Sequence, residues 1–397
     1  MASSAPLPSA ATLSKFKSNG TPTIHTAPSP PSTISDHDHH NDAYDALISS
    51  LPSTATAPLW EQMAAMNPRV PNPTSVPHVW RWAAVRPQLL EAGRVVPEEK
   101  AERRVLMFVN PGSKWPPHTT DTLYAGLQLV NPGEVAAAHR HVAVATRFVI
   151  EVPDATSSPS SGAAEGGEGG GDAEPEPQTA FTAIQRRRIP MARHDLIVTP
   201  RWTWHDHGNR GASPVIWLDG LDIPVFQRVP VHFVEHFALP RYPAKEAQRD
   251  DCGWVVPWAR MKAWLDEEAM GEGDGNGTRE LDYVERRYMK PSGAEITATL
   301  GALAARLAAG AASPPKRETG SAVWHVVAGR GQTVMDGETL RWEEGDTIAV
   351  PAWREWQHVT DEGATVYLFR FDDLPMLRAL GWYRVEGEDV EALADEE

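Results

Sequence analysis

A single cysteine, Cys252, stands among 397 residues, which excludes an internal disulfide and any cluster of thiolate metal ligands. Its isolation suits a reducing compartment, and the cytoplasm is the expected location. Long apolar runs are missing as well, since none reaches the ~18 residues that a membrane-spanning helix needs. Cations are the minority charge, 37 Lys and Arg against 53 Asp and Glu, for a net charge of −16. That balance works against a nucleic-acid backbone or an anionic membrane surface as partner. An anionic ligand must then be captured by a few cations inside a pocket. The first 35 residues lack acids altogether and carry Lys15 and Lys17 as their cations. A transit peptide would be expected to carry arginine, so residues 1–41 are read as a disordered tail. Asp36-His37-Asp38-His39-His40 within it is read as a solvated polar run.

The remainder is rich enough in apolar residues, 41% of the chain, to build a sizeable core. A helical and loop segment is expected over residues 42–102, followed by two stretches that match each other. His139-Arg140-His141 and Arg147-Phe148-Val149-Ile150 align without a gap with Lys316-Arg317-Glu318 and Trp324-His325-Val326-Val327, at an offset of 177 from His139 to Lys316. Farther on, His194-Asp195 through Pro200-Arg201-Trp202 aligns with Gly345-Asp346 through Pro351-Ala352-Trp353, at an offset of 151 from His194 to Gly345. The 26-residue difference falls in residues 153–178, a Gly-, Ser- and Glu-rich run read as a flexible insertion. Repetition on this scale signals a duplicated domain. Alternating apolar runs punctuated by Gly and Pro predict antiparallel, all-β dominated jelly rolls. One barrel is expected over 103–235 and a second over 310–385. Between them lies a helical connector, 236–309, with helices at Trp258–Met270 and Leu300–Ala309. An acidic tail closes the chain at 386–397.

His139-x-His141 has period two, so on a strand both imidazoles share one face. His205 follows on a later strand of the same repeat. Three neutral imidazoles with open positions beside them make a facial site suited to Fe(II), and also to Mn, Ni, Zn or Cu. An isolated His-x-His pair is more often a surface or core feature, and the repeat supplies the control. In the second copy the three become Lys316, Glu318 and Trp356 together, whereas His207 is matched by His358. Joint loss marks the first three as one set, with the second barrel metal-free; His207 as third ligand in place of His205 stays open. Three neutral ligands leave Fe(II) with a charge of +2, which favours a chelating dianion such as a carboxylate beside a phenolate. Arg147, Arg103 and Arg104 are the candidate partners for that carboxylate. Arg140 reads as surface charge, whereas Arg147 precedes an apolar run and has Trp324 as its counterpart.

These residues resemble a known family. Glu102-Arg103-Arg104-Val105-Leu106 with Asn110-Pro111-Gly112, Thr122-Leu123-Tyr124-Ala125-Gly126-Leu127-Gln128, and Trp202-Thr203-Trp204-His205-Asp206-His207-Gly208-Asn209 are similar to gentisate 1,2-dioxygenase. So are Trp217-Leu218-Asp219-Gly220-Leu221-Asp222-Ile223-Pro224, Asp373-Leu374-Pro375 and Leu380-Gly381-Trp382-Tyr383-Arg384. The likeness covers about residues 55 to 385. It implies a bicupin, two double-stranded β-helix barrels, with Fe(II) in the first at His139, His141 and His205, and a homo-oligomer, commonly a tetramer. It places the substrate carboxylate at Arg147 and one of Arg103 or Arg104, and gives His207 and Asp219 catalytic hydrogen bonds. Tyr124 and Gly126 would line the substrate pocket. Val152 and His194 depart from the family's glycines. The reaction implied is extradiol-type cleavage of a small aromatic acid by O₂, gentisate to maleylpyruvate. Salicylate or 1-hydroxy-2-naphthoate on the same chemistry, a metal-dependent isomerase, and a non-catalytic metal-binding bicupin are the alternatives.

Overall fold

The computed structural model describes residues 35–113, 117–152, 179–246, 253–271 and 280–387. The 153–178 insertion and most of both expected tails lie outside these residues. The chain divides into two units, 1–68 and 69–397. Within the first, α1 (Ser35–Ser50) and α2 (Leu59–Met66) are joined by a 3₁₀ turn at Leu51–Thr54. Helix therefore begins inside the segment expected to be a tail. Trp60, Met63 and Met66 on α2 are exposed.

The second unit opens with β1 (His78–Trp80), α3 (Trp82–Val95) and α4 (Glu98–Ala101). The first barrel follows as β2 (Arg104–Met107), β3 (Tyr124–Val130), β4 (Val135–His141), β5 (Ala145–Glu151), β6 (Ala180–Ile184), β7 (Arg187–Pro190), β8 (Leu196–Thr199), β9 (His205–Asn209) and β10 (Val215–Leu221). The connector holds β11 (Val234–His236), β12 (Lys245–Glu246), β13 (Val255–Val256) and α5 (Trp258–Ala269). The second barrel comprises β14 (Tyr283–Arg287), β15 (Gly301–Leu307), β16 (Ala322–Ala328), β17 (Arg330–Met335), β18 (Glu338–Glu343), β19 (Thr347–Val350), β20 (Trp356–Thr360) and β21 (Val366–Asp372), closed by α6 (Leu374–Ala379).

The duplication is visible in the sheets. One six-stranded sheet runs β13-β8-β5-β10-β3-β2 and its counterpart runs β1-β19-β16-β21-β15-β14. Apart from the outermost β13 and β1, the two orders correspond strand for strand. Facing the first is β11-β4-β9-β6-β7-β12, reduced in the second barrel to β18-β17-β20. Where a helix was expected over Leu300–Ala309, Gly301–Leu307 forms strand β15, buried along its whole length. An apolar run covered on both faces carries no period to separate the two conformations.

Alternation on the strands sorts side chains between two compartments. Ala125, Leu127 and Leu129 of β3, Phe148 and Ile150 of β5, and Ile216 and Leu218 of β10 join a core with Val323, Phe369 and Phe371 of the second barrel. Their neighbours in sequence therefore point the other way, into the first barrel. The departure at His194 is explained by backbone: His194 has φ +67° and its repeat partner Gly345 has φ +89°. Both occupy a left-handed turn that favours glycine. At Gly345 a Cβ would also stand 2.6 Å from Trp82.

Candidate metal centre

The strand register brings the three histidines together. His139 on β4 stands opposite His205 on β9, after a bulge between Ala136 and His139. In the second barrel the same position is held by a bridge between Lys316 and Trp356, the pair that the repeat aligns with His139 and His205. Ligand atoms of His139, His141 and His205 all lie within 4.8 Å of one another, and all three side chains are buried.

Each ring is fixed by a backbone carbonyl. Nδ1 of His139 donates to Ala137 O at 2.7 Å, that of His141 to Ala143 O at 2.7 Å, and that of His205 to Thr203 O at 2.8 Å. A carbonyl only accepts, so Nδ1 carries the proton and Nε2 keeps its lone pair. This is the arrangement that orients a metal-binding imidazole. His205 Nε2 is buried with no hydrogen-bond partner, which fits a metal ligand. Burial pushes His139 down to about 2 and His141 down to about 3, and neighbouring arginines act in the same direction. The imidazoles thus stay neutral, the form that binds metal. His207 lies outside this group. Its ring is 5.8 Å from that of His205 and 5.2 Å from that of Trp217, with its Nδ1 buried and unpartnered.

The barrel wall beside the triad carries the other candidates. Asp219 on β10 pairs in register with Arg147 on β5 and Gly126 on β3. Arg147 Nε is 3.3 Å from Asp219 Oδ1, both side chains being almost wholly buried, and its Nη1 donates to Thr199 Oγ1. Burial pushes the Asp219 carboxyl up to about 6 against the pull of Arg147. Burial also raises the Tyr124 phenol well above its ordinary range, with the Asp219 charge adding to it. A Cβ at Gly126 would meet the Tyr124 hydroxyl at 2.7 Å, so only glycine lets that hydroxyl sit there.

Of the two adjacent arginines, Arg103 is the one whose charge is felt by these candidates. Its guanidinium is depressed by burial and coupled to Asp219 and Tyr124, and its charge reaches His139 and Asp219. Arg104 is engaged elsewhere. It forms a two-point ion pair with Glu134, at 2.7 and 3.0 Å, and donates to Val96 O. Successive residues on a strand face opposite ways, and Arg104 tethers the end of α3 to the turn before β4. Two residues escaped the sequence reading. Gln128 shares the inward face of Tyr124 and Gly126, is 2% exposed, and has no partner for its Nε2. The period-two signal for it was present in Tyr124-x-Gly126-x-Gln128. His232 precedes β11, whose Val234 stands opposite His141. Its ring is 6.3 Å from that of His141 and stacks on Phe226 at 5.1 Å.

Comparison with known proteins places this centre. The cupin domain family matches residues 304–369, within the barrel where Lys316, Glu318 and Trp356 replace the three histidines. Gentisate 1,2-dioxygenase of Streptomyces sp. is 32% identical over 86% of this chain and 94% of its own length. The chain belongs to the gentisate 1,2-dioxygenase family. It is also 32% identical to 5-aminosalicylate 1,2-dioxygenase of Comamonas sp., over 86% of this chain and 89% of that protein. The crystal structure of salicylate 1,2-dioxygenase from Pseudaminobacter salicylatoxidans superposes with a TM-score of 0.74 at 31% identity, covering 86% of this chain and 97% of that one. The fold is thus the family's bicupin, and the chain is a ring-cleaving dioxygenase of the non-haem iron class. Its relatives differ in the ring they cleave, which leaves the substrate to the chemistry of the pocket.

Proposed function

We propose that His139, His141 and His205 hold one Fe(II) and that the enzyme cleaves gentisate with O₂ to maleylpyruvate, both oxygen atoms entering the product. The observation that carries this reading is the buried Arg147–Asp219 pair, at 3.3 Å, beside three neutral imidazoles. A bound ferrous ion would supply a redox-active centre with positions for a chelating carboxylate–phenolate and for O₂.

The chain's own residues do the rest. Arg147 and Arg103 bring positive charge to an interior that the global charge of −16 would otherwise close to an aromatic acid. A guanidinium fork matches the two oxygens of a carboxylate. Asp219, poised near pH 6, can accept the proton of the ring hydroxyl para to the metal-bound phenolate. Gentisate has that hydroxyl and salicylate lacks it, so the acceptor favours the former. Tyr124 and Gly126 shape the pocket wall, and His207 offers a hydrogen bond from the other sheet of the barrel. Burial of all these groups excludes bulk water and strengthens each electrostatic contact.

The test is O₂ uptake by the iron(II)-loaded enzyme with gentisate, salicylate, 5-aminosalicylate and 1-hydroxy-2-naphthoate. The reading requires the highest kcat/KM on gentisate, with one O₂ consumed per ring. Uptake fastest with a substrate lacking the para donor would reassign the substrate, and no uptake with any of the four would remove the activity.

A further inference from the structure

A cavity of the second unit lies outside the barrel that carries His139, His141 and His205. About 1250 Å³ opens between α5, β13, the end of β14 and the outer side of β8, lined in part by Trp254, Met261, Trp264, Tyr288 and Ile296. The sheet itself separates it from the metal. Val198 of β8 joins the core that faces the second barrel, whereas Thr199, next in sequence, bonds Arg147 on the barrel side.

Its charge is unusual for so acidic a chain. Arg201 in the wall is neutralised by Asp222, and Arg287 by Glu295 and Asp372. Arg260, Arg286 and Lys290 also line it, and none forms an ion pair among the described residues. The carboxylate in the lining is Glu267. Three uncommitted cations thus face one acid. Arg286 is held with its guanidinium 4.0 Å over the Trp264 ring, which leaves its N–H edge available to an anion. Apolar walls with a few convergent polar groups, at a volume in the range of small-molecule sites or somewhat above it, are the signature of a binding pocket.

We propose that this cavity is a second binding site, remote from the iron, for an aromatic carboxylate of one or two rings. The ring system would lie against Trp254, Trp264 and Met261, with the carboxylate among Arg260, Arg286 and Lys290.

The probe is 2-naphthoate, which has no hydroxyl beside its carboxylate and so lacks the chelating pair that the iron site takes. Titration calorimetry on the full-length, iron-loaded enzyme should find one equivalent bound per chain in the presence of saturating gentisate under anaerobic conditions. Arg286→Glu and Arg260→Glu should each weaken it by about tenfold or more, as loss of a charge-assisted contact implies. Both side chains are exposed, so these variants should keep their fold and their gentisate cleavage. The proposal fails if no 2-naphthoate binds, or if saturating gentisate or Arg147→Met abolishes binding, which would put the probe in the barrel. Affinity unchanged by both reversals would overturn it equally, leaving apolar adsorption only.

Discussion

Replacing Arg147 tests how the substrate is held. Arg147→Met keeps an unbranched apolar stem, but the guanidinium that lies 3.3 Å from Asp219 and donates to Thr199 is gone. Two losses follow. The substrate carboxylate loses a charge-assisted contact of about 1.5–3 kcal/mol, or roughly 10–150-fold in kcat/KM. Asp219 loses the cation that opposes its burial, so its carboxyl should rise further above 6 and be protonated at neutral pH. The second loss is separable: Arg147→Met combined with Asp219→Asn removes the carboxyl whose ionised form the single change penalises, so stability lost by the single variant at high pH should recover in the double variant, while kcat/KM stays low. Arg147→Lys keeps charge without the fork and should still fall well short of the native rate. The assay is initial-rate O₂ uptake against gentisate concentration, with thermal midpoints alongside. Native kcat/KM in Arg147→Met would refute the reasoning and pass the carboxylate to Arg103.

Other outcomes are equally definite. Because Asp219 must be ionised to accept a proton and titrates near 6, kcat/KM should drop about tenfold per unit below that pH, and Asp219→Asn should abolish this limb of the pH profile. Gly126→Ala puts a Cβ 2.7 Å from the Tyr124 hydroxyl; overpacking of this kind costs about 1–3 kcal/mol, and KM should change more than the thermal midpoint. In the barrel without a metal triad, His325 and His358 are buried and held down to about 3. The unfolded chain then binds more protons below pH 6.5, so stability falls with acid by about 1.4 kcal/mol per pH unit for each. His358→Gln should flatten the stability–pH slope measured by denaturant unfolding between pH 6 and 4.

The repeat made much of this legible before any coordinates. Loss of three histidines together in the second copy singled out His139, His141 and His205, the three that the structure brings within 4.8 Å of one another, and the bridge between Lys316 and Trp356 shows that the aligned positions correspond in space. Period two on His139-x-His141 was sufficient to put both rings on one face. What sequence could not supply was long-range pairing. The strand His78–Trp80 adds itself to β19, about 270 residues later, and nothing local announces that partner. The choice between Arg103 and Arg104 likewise depended on Glu134, which captures Arg104 from across the barrel end. Leu300–Ala309 went astray because its alanines and leucines suit a helix by propensity, and burial on both faces overrode that preference.

Metal content of two single variants bears most directly on the claim that His139, His141 and His205 form the centre. The protein should carry one iron per chain after anaerobic reconstitution; His205→Ala should carry almost none, and His207→Ala should keep most of its iron while losing about 10–100-fold in activity or affinity. Iron retained in His205→Ala and lost in His207→Ala would contradict the assignment.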